Sequence, residues 1–168
     1  MCKIRFLITN LRYYKHCNLK VGIVMKTFVL IAWAMLLLVF TCASDSSFWV
    51  NGTVPSFHWS GWPDFHVLTK LDFSLDLMYN SGYVLRKIGH FTGFAVLAVL
   101  FYRRSKSTVM SILASIAFAL LTELLQLYFG RDGRLYDVAI DSAGVLLGAI
   151  VVQIVNRIKF DRNLSNAN

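Results

Sequence analysis

Four long apolar runs, punctuated by short clusters of charge, constrain this chain more than any other feature of its sequence. Residues 27–44, between Lys26 and Asp45, carry no charge, and neither do residues 88–102, between Lys87 and Arg103. Residues 107–130 are interrupted only by Glu123, and residues 138–156 only by Asp141. A helix needs roughly 20 mostly apolar residues to cross the hydrocarbon of a bilayer. The first, third and fourth runs meet that length directly. The second reaches it if residues 83–87 form its first turn and the stems of Arg86 and Lys87 snorkel to the headgroups. The expected fold is therefore all-α, an integral membrane four-helix bundle.

Composition agrees. Of 168 residues, 57% are hydrophobic and 15% charged, too apolar for a soluble domain of this size. The net charge of +8 does not mark a nucleic-acid binder, because the cations lie between apolar runs instead of on one face of a soluble fold. Cys2, Cys17 and Cys42 have neither a disulfide pattern nor a zinc spacing and read as unpaired thiols.

Orientation follows from Lys and Arg, which favour the cytoplasmic side. With four spans, Lys3, Arg5, Arg12, Lys15, Lys20 and Lys26 share a side with Arg103, Arg104, Lys106, Arg157, Lys159 and Arg162. The opposite side holds Lys70, Arg86, Lys87, Arg131 and Arg134, diluted by six aspartates. Both termini are expected in the cytoplasm of a multi-pass cell-membrane protein, with loops 45–82 and 131–136 outside. Met25-Lys26-Thr27 resembles a start of translation, so residues 1–24 read either as a basic extension ahead of it or as a stretch that is not translated. Residues 25–157 form the membrane domain and 158–168 a short cytoplasmic tail. Residues 25–44 also resemble a secretory signal ending at Cys42-Ala43-Ser44, but the apolar run exceeds the usual signal core, which favours a retained span.

In the first outer loop, Phe65, Leu68, Leu71, Leu75 and Met78 recur at spacings of three and four after Pro63-Asp64, which predicts an amphipathic helix lying on the outer leaflet. Trp49, Trp59 and Trp62 just upstream suit the membrane interface. The alternative is a compact loop packed on the spans.

Ionisable groups within a span are costly and usually face the bundle interior. At 1.5 Å per residue His90 lies roughly 6 Å below Arg86, and Glu123 roughly 10 Å below Gly130 with Gln126 a turn above it. Asp141 is one turn in from Asp137. Three helices thus place polar groups in one outer-leaflet layer. Helical spacing puts Arg86, His90 and Gly93 on one face, Ser111, Ser115, Ala119, Glu123 and Gln126 on a second, and Asp137, Asp141, Gly144 and Gly148 on a third. Small residues allow close helix approach, and Gly89-x-x-x-Gly93 and Gly144-x-x-x-Gly148 have the spacing for it. These faces are expected to pack together, with Arg131 and Arg134 at the mouth of the cluster. Taken singly, the same residues also fit structural roles: His90 as an interhelical hydrogen-bond partner, Glu123 and Asp141 as a pair satisfied by His90 or Arg86, and Arg131–Asp137 as a surface pair.

At these positions the sequence resembles the VanZ-like membrane protein family, through Lys87-Ile-Gly-His90-Phe91-Thr-Gly-Phe94, Thr122-Glu123-Leu-Leu-Gln126, and the stretch from Gly130-Arg131 through Asp137 and Asp141 to Gly144 and Gly148. The resemblance marks Lys87, His90, Phe91, Glu123, Gln126, Arg131, Asp137, Asp141 and Gly144. Thr122 and Leu125 stand where some members have a second carboxylate and a histidine, a departure that counts against proton or metal chemistry carried over from the family. The founding member is associated with resistance to the glycopeptide teicoplanin, which implies a role in antibiotic resistance or envelope stress.

Two functions compete. One is a binding pocket for an anionic lipid-linked or cell-wall headgroup, lined by Arg86, Lys87, His90, Glu123, Gln126, Arg131, Arg134, Asp137 and Asp141. The other is an intramembrane hydrolase or transferase acting on such a lipid, with His90 or Glu123 as acid or base and Asp141 assisting. No internal repeat or broken helix supports a transporter. No metal and no cofactor is expected, because common catalytic zinc sites use more nitrogen or sulfur ligands than stand here.

Overall fold

The structure is a computed structural model, and it describes residues 2–44, 52–70 and 81–166. The described residues include four α-helices: α1 (Cys2–Cys42), α2 (Ser81–Ser105), α3 (Thr108–Tyr128) and α4 (Leu135–Ser165). Among the described residues each contains a stretch long and apolar enough to cross a membrane: Val21–Cys42, Gly82–Ser105, Thr108–Tyr128 and Leu135–Ser165. The expected first turn of the second span is present, since α2 starts ahead of Tyr83. The basic extension does not form a separate element. It continues α1 without a break from Cys2.

Helix ends follow local chemistry. Arg103 and Arg104 occupy the last turn of α2, where cations complement the helix dipole. Ser107 caps α3, its side chain accepting from the Met110 amide. At the other end of α3, Gly130 takes a left-handed conformation (φ 66°). The Arg131 amide donates to the Gln126 carbonyl at 2.9 Å and the Gly130 amide to Leu127 at 3.3 Å. This pair of bonds satisfies the last carbonyls of the helix and explains the glycine that follows the apolar run.

α2 and α4 run parallel, as a common direction of crossing requires. Their contacts keep a nearly constant sequence offset: Tyr83 meets Tyr136, His90 meets Asp141, and Tyr102 meets Asn156. Close approach comes from α4's glycines. A Cβ on Gly144 would collide with the Phe91 carbonyl, and one on Gly148 with that of Ala95. The small-residue prediction therefore holds for Gly144-x-x-x-Gly148 but not for Gly89-x-x-x-Gly93. On α2 it is the Phe91–Ala95 ridge that faces α4, while Gly93 faces Leu37 of α1 and Gly89 faces open space. Four-residue spacing places two glycines on one face without choosing that face's neighbour.

α1 packs antiparallel on α2 through side chains. The Trp33 indole donates to the Gly93 carbonyl at 3.0 Å, and Arg104 donates to Thr27 at 2.9 Å. The core is small and mid-bundle, with Leu30, Leu37, Phe94, Leu97, Ala98, Ala119, Val138 and Val145. The Ser111 hydroxyl donates to the Ala98 carbonyl at 2.7 Å and pins α3 to α2.

The first loop packs over the end of α3. The Ser60 amide donates to the Tyr128 carbonyl at 2.7 Å, Trp59 stacks on Tyr128, and Phe57 meets Phe129 edge-on. The predicted amphipathic helix starts where expected, with Asp64 as its cap, but as a single 3-10 turn, Phe65–Thr69, after which Lys70 is extended. The Thr69 hydroxyl turns back onto the His66 carbonyl at 3.2 Å, the kind of local bond that competes with helix continuation. The rest of that prediction, Leu71, Leu75 and Met78, lies outside the described residues, as does Trp49. Trp62 is 94% exposed.

Candidate functional site

The predicted faces of α3 and α4 are buried in the bundle, whereas of the predicted α2 face only His90 joins them, through Asp141, and Arg86 and Gly93 turn toward α1. On α3 every residue of the predicted face is buried: Ser111, Ser115, Ala119, Glu123 and Gln126. On α4 the same holds for Asp137, Asp141, Gly144 and Gly148. Glu123 is 1% exposed and Asp141 fully enclosed. Two carboxylates so enclosed must be matched by nearby donors or charge.

Glu123 is matched on both oxygens. Gln126 Nε2 donates to Oε1 at 2.9 Å, and the backbone amide of Arg134 donates to Oε2 at 2.9 Å. Arg134 is the residue that caps α4 and has no side-chain cap of its own. Glu123 thus reaches across from α3 to serve the start of α4, where a negative charge also suits the helix dipole. The approach is close enough to need Gly133, since a Cβ there would strike the Glu123 carbonyl.

Asp141 faces His90. Their closest atoms, Oδ1 and Nδ1, are 3.3 Å apart, and Oδ2 is 3.5 Å from the same nitrogen. This is a loose ion-pair geometry, and Oδ1 has no hydrogen-bond partner among the described residues. Nδ1 is the nitrogen turned to Asp141. Donor atoms of His90, Glu123 and Asp141 lie within 4.8 Å of one another, a one-nitrogen, two-oxygen set compatible with a hard or borderline divalent cation. Both oxygens of Glu123 already accept from protein donors, however, so its geometry is explained without an ion.

Asp137 pairs with Lys87, not with Arg131. The ammonium lies over the rings of Tyr83 and Tyr136, 4.9 and 4.6 Å from their centroids, and the two phenols share a hydrogen bond of 2.9 Å. This aromatic cage was missed at the sequence level. Its one signal is that Tyr83 lies four residues before Lys87 and therefore on the same helical face. The Lys87 stem, expected to reach toward the headgroups, ends at the aspartate and the two rings between the helices.

The predicted cationic mouth is built differently from expectation. Arg131 Nη1 donates to the Ala43 carbonyl at 2.6 Å, tethering the end of α1. Burial, and then the positive charge of Arg86, pull the Arg131 guanidinium below its usual pKa. The Arg134 side chain bonds Asp132 at 3.1 Å and lies over Tyr136, so the site uses its backbone amide. Arg86 and His90 line a cleft between α1 and α2.

The chain is similar in sequence to known membrane proteins. The VanZ/LLP1 family profile matches residues 17–156. The chain is 33% identical over 121 residues to the uncharacterized membrane protein YwnJ of Bacillus subtilis (strain 168), covering 72% of this chain and 85% of that protein. No solved structure matches. Four apolar helices and a membrane-protein relative make this a multi-pass membrane protein, and with the profile reaching into all four helices and covering every residue of the polar cluster, the chain belongs to the VanZ/LLP1 family.

Proposed function

We propose that this protein binds an anionic lipid-linked or cell-wall headgroup in an outer-leaflet pocket of the bacterial cell envelope. The observation that carries this reading is the convergence of His90, Glu123 and Asp141 at one depth, beside the Arg131 guanidinium, on which the positive charge of Arg86 acts. Two such cations repel, and an anion between them relieves the repulsion. Lys87 and Asp137 hold the α2 wall, and Gln126 and the Arg134 amide hold Glu123. The Lys/Arg bias supports an orientation with this layer outside and both termini in the cytoplasm.

The test is Glu123→Gln, which keeps the side chain's shape and removes its charge. Protein level and thermal stability in detergent are measured beside sensitivity to teicoplanin and other envelope stress in a host lacking the protein. Sensitivity restored to that of the empty host, with folded protein unchanged, supports a headgroup pocket. Full protection by Glu123→Gln sinks it. A reporter fused near Gly133 should read as external, and one after Arg104 as cytoplasmic.

One observation favours chemistry over binding alone. An imidazole whose Nδ1 faces a carboxylate is in the relation of a general base to its orienting group. In this second reading His90 is the base or acid, Asp141 its positioning residue, and the reaction a hydrolysis or transfer on a lipid-linked substrate. His90→Gln then loses turnover of a radiolabelled anionic lipid while retaining its binding, whereas in a pure binding protein no labelled headgroup is released by either form.

A further inference from the structure

Between α1 and α2 lies a cleft of about 660 Å³, within the size range of ligand pockets in general. Its walls are apolar along most of their length, with Trp33, Leu37 and Phe40 from α1 and Ile88, Gly89 and Val96 from α2. At its polar end stand Arg86 and His90. His90 therefore has two neighbours: its Nδ1 meets Asp141 in the bundle, and its ring also borders the cleft.

We propose that this cleft seats one hydrocarbon chain of a membrane lipid whose anionic headgroup lies against Arg86 and His90. The proposal deepens the headgroup reading above and rests on it. Three features select this occupant. The first is depth: Arg86 to Val96 is ten residues, about 15 Å of helix at 1.5 Å per residue, which is half of a hydrocarbon core of roughly 30 Å. The cleft thus has the reach of one leaflet's chain and not of a spanning segment. The second is polarity, because cationic and imidazole groups sit only at the end where a headgroup would lie. The third is Gly89, at which a Cβ would meet nothing within 4 Å. Glycine weakens a helix interior, and here it contributes no close helix contact. What it leaves open is the middle of the cleft wall.

Lipid tails solvate an apolar wall as well as side chains do, so the cleft gains little from hydrophobicity itself. Selectivity must come from the headgroup, and the chain's position must be read directly. Trp33 on the cleft wall supplies the probe. The full chain, with Trp49→Phe, Trp59→Phe and Trp62→Phe to leave Trp33 as the sole indole, is placed in nanodiscs. The discs contain acyl-brominated phosphatidylglycerol or acyl-brominated phosphatidylcholine at equal mole fraction, bromine being a contact quencher. Brominated phosphatidylglycerol should occupy the contact about fivefold more strongly, the ratio expected for one cation facing an anionic headgroup. Arg86→Gln should abolish that preference. Gly89→Leu, which fills the cleft, should reduce quenching by both lipids without lowering the melting temperature. Recovery of fluorescence on adding unbrominated polyisoprenyl phosphate identifies an isoprenoid chain as the preferred occupant; recovery only with phosphatidylglycerol identifies an acyl chain.

Equal quenching by the two lipids in the parent protein overturns both the chain seat and the headgroup pocket. A phosphatidylglycerol preference that Arg86→Gln removes but Gly89→Leu leaves intact overturns the chain seat alone. Absence of quenching by either lipid means that a second copy or another helix covers the cleft, and it too overturns the proposal.

Discussion

The α2–α4 seam and the α1–α2 seam are built from the same kinds of residue and behave oppositely. Across the first, glycines of α4 lie directly on backbone carbonyls of α2. Polar side chains then meet along it in register, from Tyr83–Tyr136 at one end to Tyr102–Asn156 at the other. Across the second, α2 offers two glycines of its own, yet one meets only the tip of a leucine and the other nothing. Glycine spacing alone therefore does not make a tight seam. What matters is whether the opposing helix presents backbone or side chain at that level. The tight seam fixes the geometry of charged groups; the loose one leaves room.

This contrast can be broken at four points, taken from the largest expected effect to the smallest. Gly144→Leu drives a side chain into the Phe91 carbonyl, which cannot retreat without parting α2 from α4. A loss of about 3 kcal/mol or more is expected, with little monodisperse protein on size exclusion; a well-behaved peak at normal yield would show that the seam is not backbone-limited. Lys87→Met strands Asp137 between helices. Breaking an enclosed pair costs about 3–5 kcal/mol, and the lower part of that range applies here because both groups keep some exposure. A double-mutant cycle with Asp137→Asn, followed by thermal unfolding in detergent, should recover much of the loss, and strict additivity would mean the pair is not coupled. Gly93→Ala places its methyl 2.7 Å from Leu37 Cδ2, a mobile side-chain end. The cost should be about 1 kcal/mol, the lower limit for overpacking a site that yields. Gly89→Ala meets no neighbour and should raise stability by roughly 0.5–1 kcal/mol through helix propensity. A drop in melting temperature for this last variant would place Gly89 inside a packed interface.

The burial of whole faces was legible in the sequence for a simple reason. Helical periodicity states which residues share a side, and a charge inside an apolar run states which side is interior. That logic located Glu123, Gln126, Asp137 and Asp141 correctly. It could not state partners, because partners depend on the register between helices distant in sequence. Asp137 with Lys87, and Glu123 with the Arg134 amide, are products of that register. The arginine assignments went astray for a related reason. A guanidinium at a loop reads as a free cation in one dimension, yet Arg131 is drawn to a carbonyl at the end of α1, some 88 positions away in the chain. The aromatic cage around Lys87 was hidden because tyrosines near a membrane boundary have a ready explanation as interface anchors.

The cap over α3 bears on how any ligand arrives. Trp59, Phe57 and Phe65 close over Tyr128 and Phe129, and Arg131 draws the end of α1 in beside them. Glu123 is 1% exposed, whereas the cleft that borders His90 lies between α1 and α2. A molecule using that route searches in two dimensions within one leaflet. Its occupancy follows its mole fraction among neighbouring lipids and is insensitive to the volume of the surrounding medium. Dilution of cells would leave the site as full as before, while a change in leaflet composition would be felt at once.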